Sequence, residues 1–324
     1  MKRRDFLAAS LAATGLALTS SLSSADCGNC SAFKTRPKKA LIGNPNRATM
    51  ERWKSLGFDG MEGLSQGMTV KAGEEAKKLA DELQFPIHST LYGWSNVNTP
   101  DADKFQEQIN AISTGIEATA ACGSNAILWV PCRIGGKMPN CWEFDFDFDE
   151  KTNVIKSVVK GDNEPYQAYI KDHNFAMEQT RRALDKLIPV AEKNNIVIAV
   201  ENVWNNMWVK PNLFGNFIHS YDDCPWVKCY FDIGNHVKYA KPEDWFAALG
   251  KSIVKLHVKD YKLAAPDSDP GFGGFVAIRN GSVNWPAVRA CIEKIGYNDF
   301  MTIEGGGVSE EEQSKRLDLI LAGK

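Results

Sequence analysis

The chain has 324 residues, 44% apolar, 24% charged and 10% aromatic, with a formal net charge of −2. That composition describes an ordinary globular protein and excludes disordered, collagenous and coiled-coil chains. Lys and Arg are spread along the chain, so no clustered basic surface is expected for a nucleic-acid backbone or an anionic membrane, and eight cysteines are too few for a disulfide scaffold.

The first element is an address. Lys2-Arg3-Arg4-Asp5-Phe6-Leu7 precedes a small, uncharged, apolar run from Ala8 to Leu22, the pattern of a twin-arginine export signal. Lys2 stands where Ser or Thr is usual, and Ala8 where Lys is usual. Ser23-Ser24-Ala25 is a small-residue cleavage site, so residues 1–25 are expected to be removed after passage through the twin-arginine translocase into the periplasm. An uncleaved membrane anchor is the alternative, but Gly15 and several Ser and Thr make the run weakly hydrophobic for a span of about 30 Å. Cleavage leaves a net charge of −4, because the segment carries Lys2, Arg3, Arg4 and Asp5. Residues 26–37 then form an N-terminal tail. Its Cys27-Gly-Asn-Cys30 has no second pair and reads as a terminal disulfide or idle thiols rather than a metal or redox site.

From residue 38 to 324, short β-rich runs alternate with longer amphipathic stretches. Strands are expected at Lys39–Gly43, Phe58–Glu62, Phe85–His88, Ala126–Val130, Ile196–Glu201, Val227–Asp232, Ile253–His257 and Phe300–Glu304. Helices are expected at Met50–Leu56, Val70–Leu83, Asp103–Cys122, Tyr166–Asn194, Pro242–Leu249, Trp285–Ile295 and Glu310–Ile320. Eight strand–helix units pair in parallel, and closure into a single (β/α)8 TIM barrel leaves no exposed edge. An open doubly wound sheet is the alternative fold. No G-x-G-x-x-G follows the first strand, so no nucleotide cofactor is expected.

Long insertions follow strands four and seven, at Pro131–Pro165 and Tyr261–Ser282, both on the face where barrel chemistry sits. Glu143-Phe-Asp-Phe-Asp-Phe-Asp-Glu150 alternates acid and aromatic and reads as a hairpin strand with one wet face. A calcium loop would need a glycine and a terminal glutamate that are missing. Gly271-Phe-Gly-Gly274 reads as a lid tip.

The late strands each end in one ionisable residue: Glu201, Asp232, His257 and Glu304, separated by 31, 25 and 47 residues. A carboxylate directly after a buried strand is costly unless compensated. Taken singly, these could be a salt-bridge partner, a helix cap or a core histidine. Adjacent barrel strands would bring all four to the C-terminal mouth. Three carboxylates and one imidazole are a hard, oxygen-rich set suited to one divalent metal, Mn²⁺ first, with Mg²⁺ or Co²⁺ as alternatives.

Residues 38 to 322 resemble the xylose-isomerase-like TIM barrels, a superfamily of sugar isomerases and epimerases that includes D-tagatose 3-epimerase, hydroxypyruvate isomerase, inosose dehydratase and endonuclease IV. The resemblance rests on Gly57-Phe-Asp-Gly-Met-Glu62, Val200-Glu201-Asn202, Phe231-Asp232-Ile-Gly-Asn235-His236, Leu256-His257-Val-Lys-Asp260 and Thr302-Ile-Glu304-Gly305. It implies that Glu201, Asp232, His257 and Glu304 bind one metal. Three positions depart from the epimerase pattern. Asn235 stands where a strand-six histidine touches the sugar, with His236 following. Met207 replaces a glutamate and Leu263 an arginine.

The resemblance implies an isomerase or epimerase of a sugar or keto-sugar, in which Glu201 and Glu304 move a proton through an enediolate. Loss of a β-hydroxyl or aglycone from the same intermediate would make it a lyase or dehydratase acting on a 3-keto-glycoside or cyclitol, and a silent sugar-binding barrel is a third reading. Glu62 and His88, each expected at a strand end, together with Asn235, His236 and Trp204, are candidates for substrate contact. Trp94 and Trp208 are further candidates for stacking on a sugar face. Export favours a free carbohydrate over a phosphorylated one. Oligomeric state is left open between monomer and homo-oligomer.

Overall fold

The computed structural model describes residues 33–264 and 273–324. The expected signal at 1–25, Cys27, Cys30 and the Gly271-Phe272 half of the lid tip lie outside the described residues. Eight parallel strands close into a barrel: β1 (Lys38–Ile42), β2 (Gly60–Leu64), β3 (Ile87–Trp94), β4 (Ala126–Val130), β7 (Val197–Glu201), β8 (Val227–Asp232), β9 (Ile253–Val258) and β12 (Phe300–Ile303). Around the barrel they run β1-β12-β9-β8-β7-β4-β3-β2. The doubly wound alternative is thereby replaced by closure. All five residues of β4 are buried, as a parallel strand covered on both faces requires.

Helices α1 (Arg47–Ser55), α2 (Val70–Leu83), α3 (Ala102–Ala121), α4 (Gln167–Asn194), α5 (Pro211–His219), α6 (Pro242–Leu249), α7 (Trp285–Ile295) and α8 (Glu310–Leu321) cover the outside. Side chains that accept from the first-turn amides start several of them: Asn46 before α1, Thr69 before α2, Asp101 before α3 and Ser309 before α8. Prolines open α5 and α6, where a missing N–H costs nothing. Helix α5 has no counterpart in the sequence expectation. It is nine residues long, and its Lys210-Pro211 start reads equally well as a turn.

The insertion after β4 carries the short antiparallel pair β5 (Asp147–Phe148) and β6 (Ile155–Ser157). Asp145 and Asp147 are exposed, whereas Phe144 is buried and Phe146 and Phe148 half-buried, as a hairpin with one wet face demands. After β9, a second antiparallel pair forms from β10 (Asp260–Lys262) and β11 (Gly274–Val276). Asp260 fixes this strap from below, its carboxylate accepting from the backbone amides of Arg279, Gly281 and Val283 and from Trp285 Nε1. Residues Phe33 to Pro37 lead into β1 along the barrel bottom, where Glu293 accepts from the amides of Lys34 and Thr35. Among the described residues no helix is long and apolar enough to cross a membrane.

Candidate metal centre

Strands β7, β8, β9 and β12 are consecutive around the barrel, and each delivers one ligand-type residue to the C-terminal mouth. Glu201 and Asp232 close β7 and β8, His257 is the penultimate residue of β9, and Glu304 follows β12. Asp232 pairs directly with His257, and His257 with Thr302, two residues before Glu304. One ligand atom from each of Glu201, Asp232, His257 and Glu304 lies within 4.8 Å of the others. Glu201, Asp232 and His257 are buried, whereas the Glu304 side chain is 33% exposed. The site therefore opens towards solvent beside Glu304.

Asp232 and His257 are each held by one atom and present another. Asp232 Oδ1 accepts from the amides of Gly234 at 2.8 Å and Asn235 at 2.6 Å. Asn202 clamps the Asp232 backbone from both sides, accepting its N–H at 2.6 Å and donating to its carbonyl at 2.8 Å. Glu201 Oε1 accepts from Asn235 Nδ2 at 3.2 Å. His257 Nε2 donates to Glu62 Oε2 at 2.7 Å, and the Tyr230 hydroxyl donates to the same oxygen at 3.0 Å. Glu62 keeps a proton on Nε2, so Nδ1 is the atom turned to the mouth, and its lone pair is open to a cation once Nδ1 gives up its own proton. Nδ1 faces Glu304 at 2.9 Å, Glu201 at 3.6 Å and Asp232 at 3.9 Å.

These residues fit a hard divalent cation. Asp232 Oδ2 and His257 Nδ1 are buried and make no aligned hydrogen bond, although charged neighbours stand close. Buried polar atoms without partners are costly, and a cation among them satisfies both at once.

The electrostatics are those of crowded acids. Burial pushes Asp232 up to about 7, with Lys259 opposing and Glu304 and Glu201 adding to the rise. Burial also raises Glu201. For Glu304 burial acts in the same sense, but His257 and Lys259 outweigh it and hold the carboxyl well below its ordinary value. His257 is likewise disfavoured as a cation by burial, yet Glu62, Glu201 and Glu304 keep it protonated well above its ordinary range.

Lys259 is not among the residues expected at the site. Its Nζ lies 2.8 Å from Glu304 Oε1, 3.3 Å from Asp232 Oδ2 and 3.0 Å from Asn235 Oδ1. The signal is present in Leu256-His257-Val-Lys-Asp260, because strand alternation places residues two apart on one face.

The other expected contacts divide into two groups. Asn235 joins the site through Glu201 and Lys259, and Trp204 Nε1 donates to the Asn235 carbonyl. Trp204 also packs on Phe275 of the strap, with ring centroids 5.0 Å apart. Trp94, at the end of β3, is 43% exposed. A cavity of about 370 Å³ beside the ligands is lined by Lys259, Phe275, Val276, Ala277, Glu304 and Gly305–Gly307.

Glu62, His88, His236 and Trp208 are placed elsewhere. Strand β3 runs on to Trp94, so His88 is its second residue and lies at the opposite end of the barrel from the mouth. Its ring stacks on Phe300 at 4.2 Å, and Nε2 lies 2.9 Å from Thr302 Oγ1. Glu62 is inside β2 rather than at its end, fully buried beneath His257. His236 donates Nε2–H to the Val203 carbonyl at 3.1 Å and packs against Tyr239 and Trp245. Trp208 is core, packed on Phe214 and Phe217. For each, the expectation rests on position in the chain, which does not report where a strand begins or which way a turn aims its side chain.

Known proteins of this architecture match along most of the chain. A D-tagatose 3-epimerase-like protein is 18% identical, with a TM-score of 0.64 over 87% of this chain and 98% of that one. The 3-keto-D-glucoside 4-epimerase of E. coli is 14% identical, with a TM-score of 0.62 over 88% of this chain and 99% of that one. Mannonate dehydratase from Streptococcus suis is 12% identical, with a TM-score of 0.60 over 88% of this chain and 93% of that one. At these identities the likeness is one of fold. No curated protein matches the sequence. The family profile described as xylose isomerase-like TIM barrel matches residues 50–319, and the chain belongs to that family.

Proposed function

We propose that the protein is a divalent-metal-dependent isomerase or epimerase of a sugar or keto-sugar, exported by the twin-arginine route to act on free carbohydrate in the periplasm. The observation that carries this reading is the arc Glu201–Asp232–His257–Glu304, with a glutamate at each end. Its ligands suit Mn²⁺, Mg²⁺ or Co²⁺. A cation held there supplies Lewis-acid polarisation of a substrate carbonyl and its neighbouring hydroxyl.

The chain's own groups do the rest. Glu201 and Glu304 bracket the position of a substrate carbon from opposite ends of the arc, so one removes the proton beside the carbonyl and the other returns it. Return to the other face of the same carbon is epimerisation, and return to the neighbouring carbon is isomerisation. Asn235 and Trp204 touch Lys259 and Phe275, which line the cavity beside Glu304, and are assigned to substrate hydroxyls and ring face. Phe275 and Lys259 form part of that lining. His88, Glu62 and His236 are not given substrate roles, because their polar atoms are engaged below or behind the ligands.

The test is solvent exchange. Mn²⁺-loaded protein is incubated in D₂O with a panel of ketoses that includes D-fructose and D-tagatose, and deuterium is located by NMR. Incorporation at the carbon beside the carbonyl, lost in Glu201→Gln and Glu304→Gln, is the expected result. Release of water or an aglycone moves the protein to the lyases, and no exchange across the panel overturns the enzyme reading.

A further inference from the structure

Every contact of the Lys259 ammonium named above belongs to the candidate metal site, and one of them is to the oxygen a cation needs. Asp232 Oδ1 is occupied by two backbone amides, which leaves Oδ2 as the ligand atom. Lys259 Nζ stands 3.3 Å from that oxygen. Carboxylate–metal distances are about 2.0–2.6 Å for hard divalent ions, so a dication on Oδ2 would stand within a few ångströms of the ammonium, and the two like charges compete for the same carboxylate. Lys259 is brought this close by Gly234, where a Cβ would meet the Lys259 carbonyl carbon and oxygen at 2.6 Å. The ammonium already has a second partner on the cavity side. Nζ is 5.0 Å from the centroid of Phe275, a ring 46% exposed, and both residues line the cavity beside Glu304.

We propose, on the reading that the four-residue arc holds a divalent cation, that Lys259 is a positioning residue that shares the carboxylates with that cation by exchange. In the metal-free protein its ammonium offsets the repulsion among Glu201, Asp232 and Glu304 and keeps them gathered. When the cation enters, the ammonium draws back from Asp232 and Glu304 into the open cavity, keeping the face of Phe275. The cost of displacing it lowers metal affinity, while the site stays assembled for rapid loading.

This assignment gives Lys259→Met two effects of opposite sign, which a purely structural ion pair does not. Metal-free Lys259→Met is expected to melt several degrees below wild type, and saturating Mn²⁺ closes the gap. Its Mn²⁺ dissociation constant, by calorimetric titration, is expected to be about tenfold lower than wild type, since like-charge competition at a few ångströms is removed. Lys259→Arg keeps the cation and stays near wild type in both. In the unaltered protein, Mn²⁺ is expected to speed labelling of Lys259 by an amine-reactive ester, followed by mass spectrometry, and this arm stands if the methionine variant does not fold without metal. Equal or weaker Mn²⁺ binding by Lys259→Met, or labelling unchanged or slowed by Mn²⁺, overturns the exchange while leaving the metal site in place. A wild-type protein that binds no Mn²⁺ overturns both.

Discussion

Glu62 and His257 form a fully buried pair on opposite sides of the barrel interior, Oε2 accepting from Nε2 at 2.7 Å. The contact joins β2 to β9, which are not neighbours in the sheet, so the carboxylate acts on the imidazole across the barrel. It fixes the tautomer that exposes Nδ1 to the mouth, and Tyr230 in turn holds Glu62. Glu62→Gln is expected to retain the fold and lose about 10–100-fold in Mn²⁺ affinity, the usual effect of removing the partner of a ligating histidine. Titration calorimetry with circular dichroism as the fold control separates this from unfolding.

Protons and metal compete for the same atoms. In the metal-free protein burial raises Asp232 to about 7, and the surrounding carboxylates, working against burial, hold His257 above its ordinary value. A cation displaces those protons, so Mn²⁺ affinity is expected to rise between about pH 6 and pH 8, with proton release on binding. The sign for folding alone is the reverse. Both folded values exceed the unfolded ones, so their contribution to metal-free stability is greatest at low pH and is lost as pH rises through the folded values. Thermal melts with and without Mn²⁺ across this range are expected to diverge as pH increases.

Two buried histidines outside the site set an acid limit. Burial lowers His173 to about 4 and His236 to about 3, and each donates Nε2–H to a backbone carbonyl while Nδ1 has no partner. Their folded values lie below the unfolded value of about 6.5, so their contribution is complete above that pH and lost as pH falls towards 4 and 3. Urea midpoints are expected to drop over this window, and His173→Gln or His236→Gln to flatten the slope regardless of its effect at neutral pH.

Gly234 is needed for the approach of two backbones. An added Cβ would stand 2.6 Å from the Lys259 carbonyl, and neither the Asp232 turn nor β9 can retreat without moving a ligand. Gly234→Ala is expected to cost about 1–3 kcal/mol of stability, the range for overpacking, and to weaken Mn²⁺ binding as well. Denaturant titration and calorimetry on the same preparation measure the two effects.

Much of the fold is legible in the sequence because burial imposes a pattern. Runs such as Ala126–Val130 are continuously apolar because a parallel strand is covered on both faces, and the expected starts at Val70 and Glu310 coincide with α2 and α8, whereas α1 begins three residues before its expected start, at the Asn46 cap that apolar spacing alone does not reveal. Helix α5 escapes that reading because nine residues opened by proline carry too short a period to stand out. Strand β3 extends beyond its expected end because Ser89, Thr90 and Gly93 interrupt its apolar run; Ser89 and Thr90 are buried in the barrel, held by hydroxyl contacts from other elements.

The chain by itself determined the barrel and the four residues Glu201, Asp232, His257 and Glu304, since an ionisable group at the end of a buried strand is a local anomaly visible in one dimension. Tertiary structure decided what surrounds them. Glu62, His88 and His236 are all polar residues in apolar settings and look alike in sequence, yet the barrel places one beneath His257, one at the far end and one behind the mouth. Lys259 looks like any lysine until closure sets it against Asp232 and Glu304. Roles of that kind depend on which groups meet across strands distant in the chain, and only the closed sheet makes those meetings.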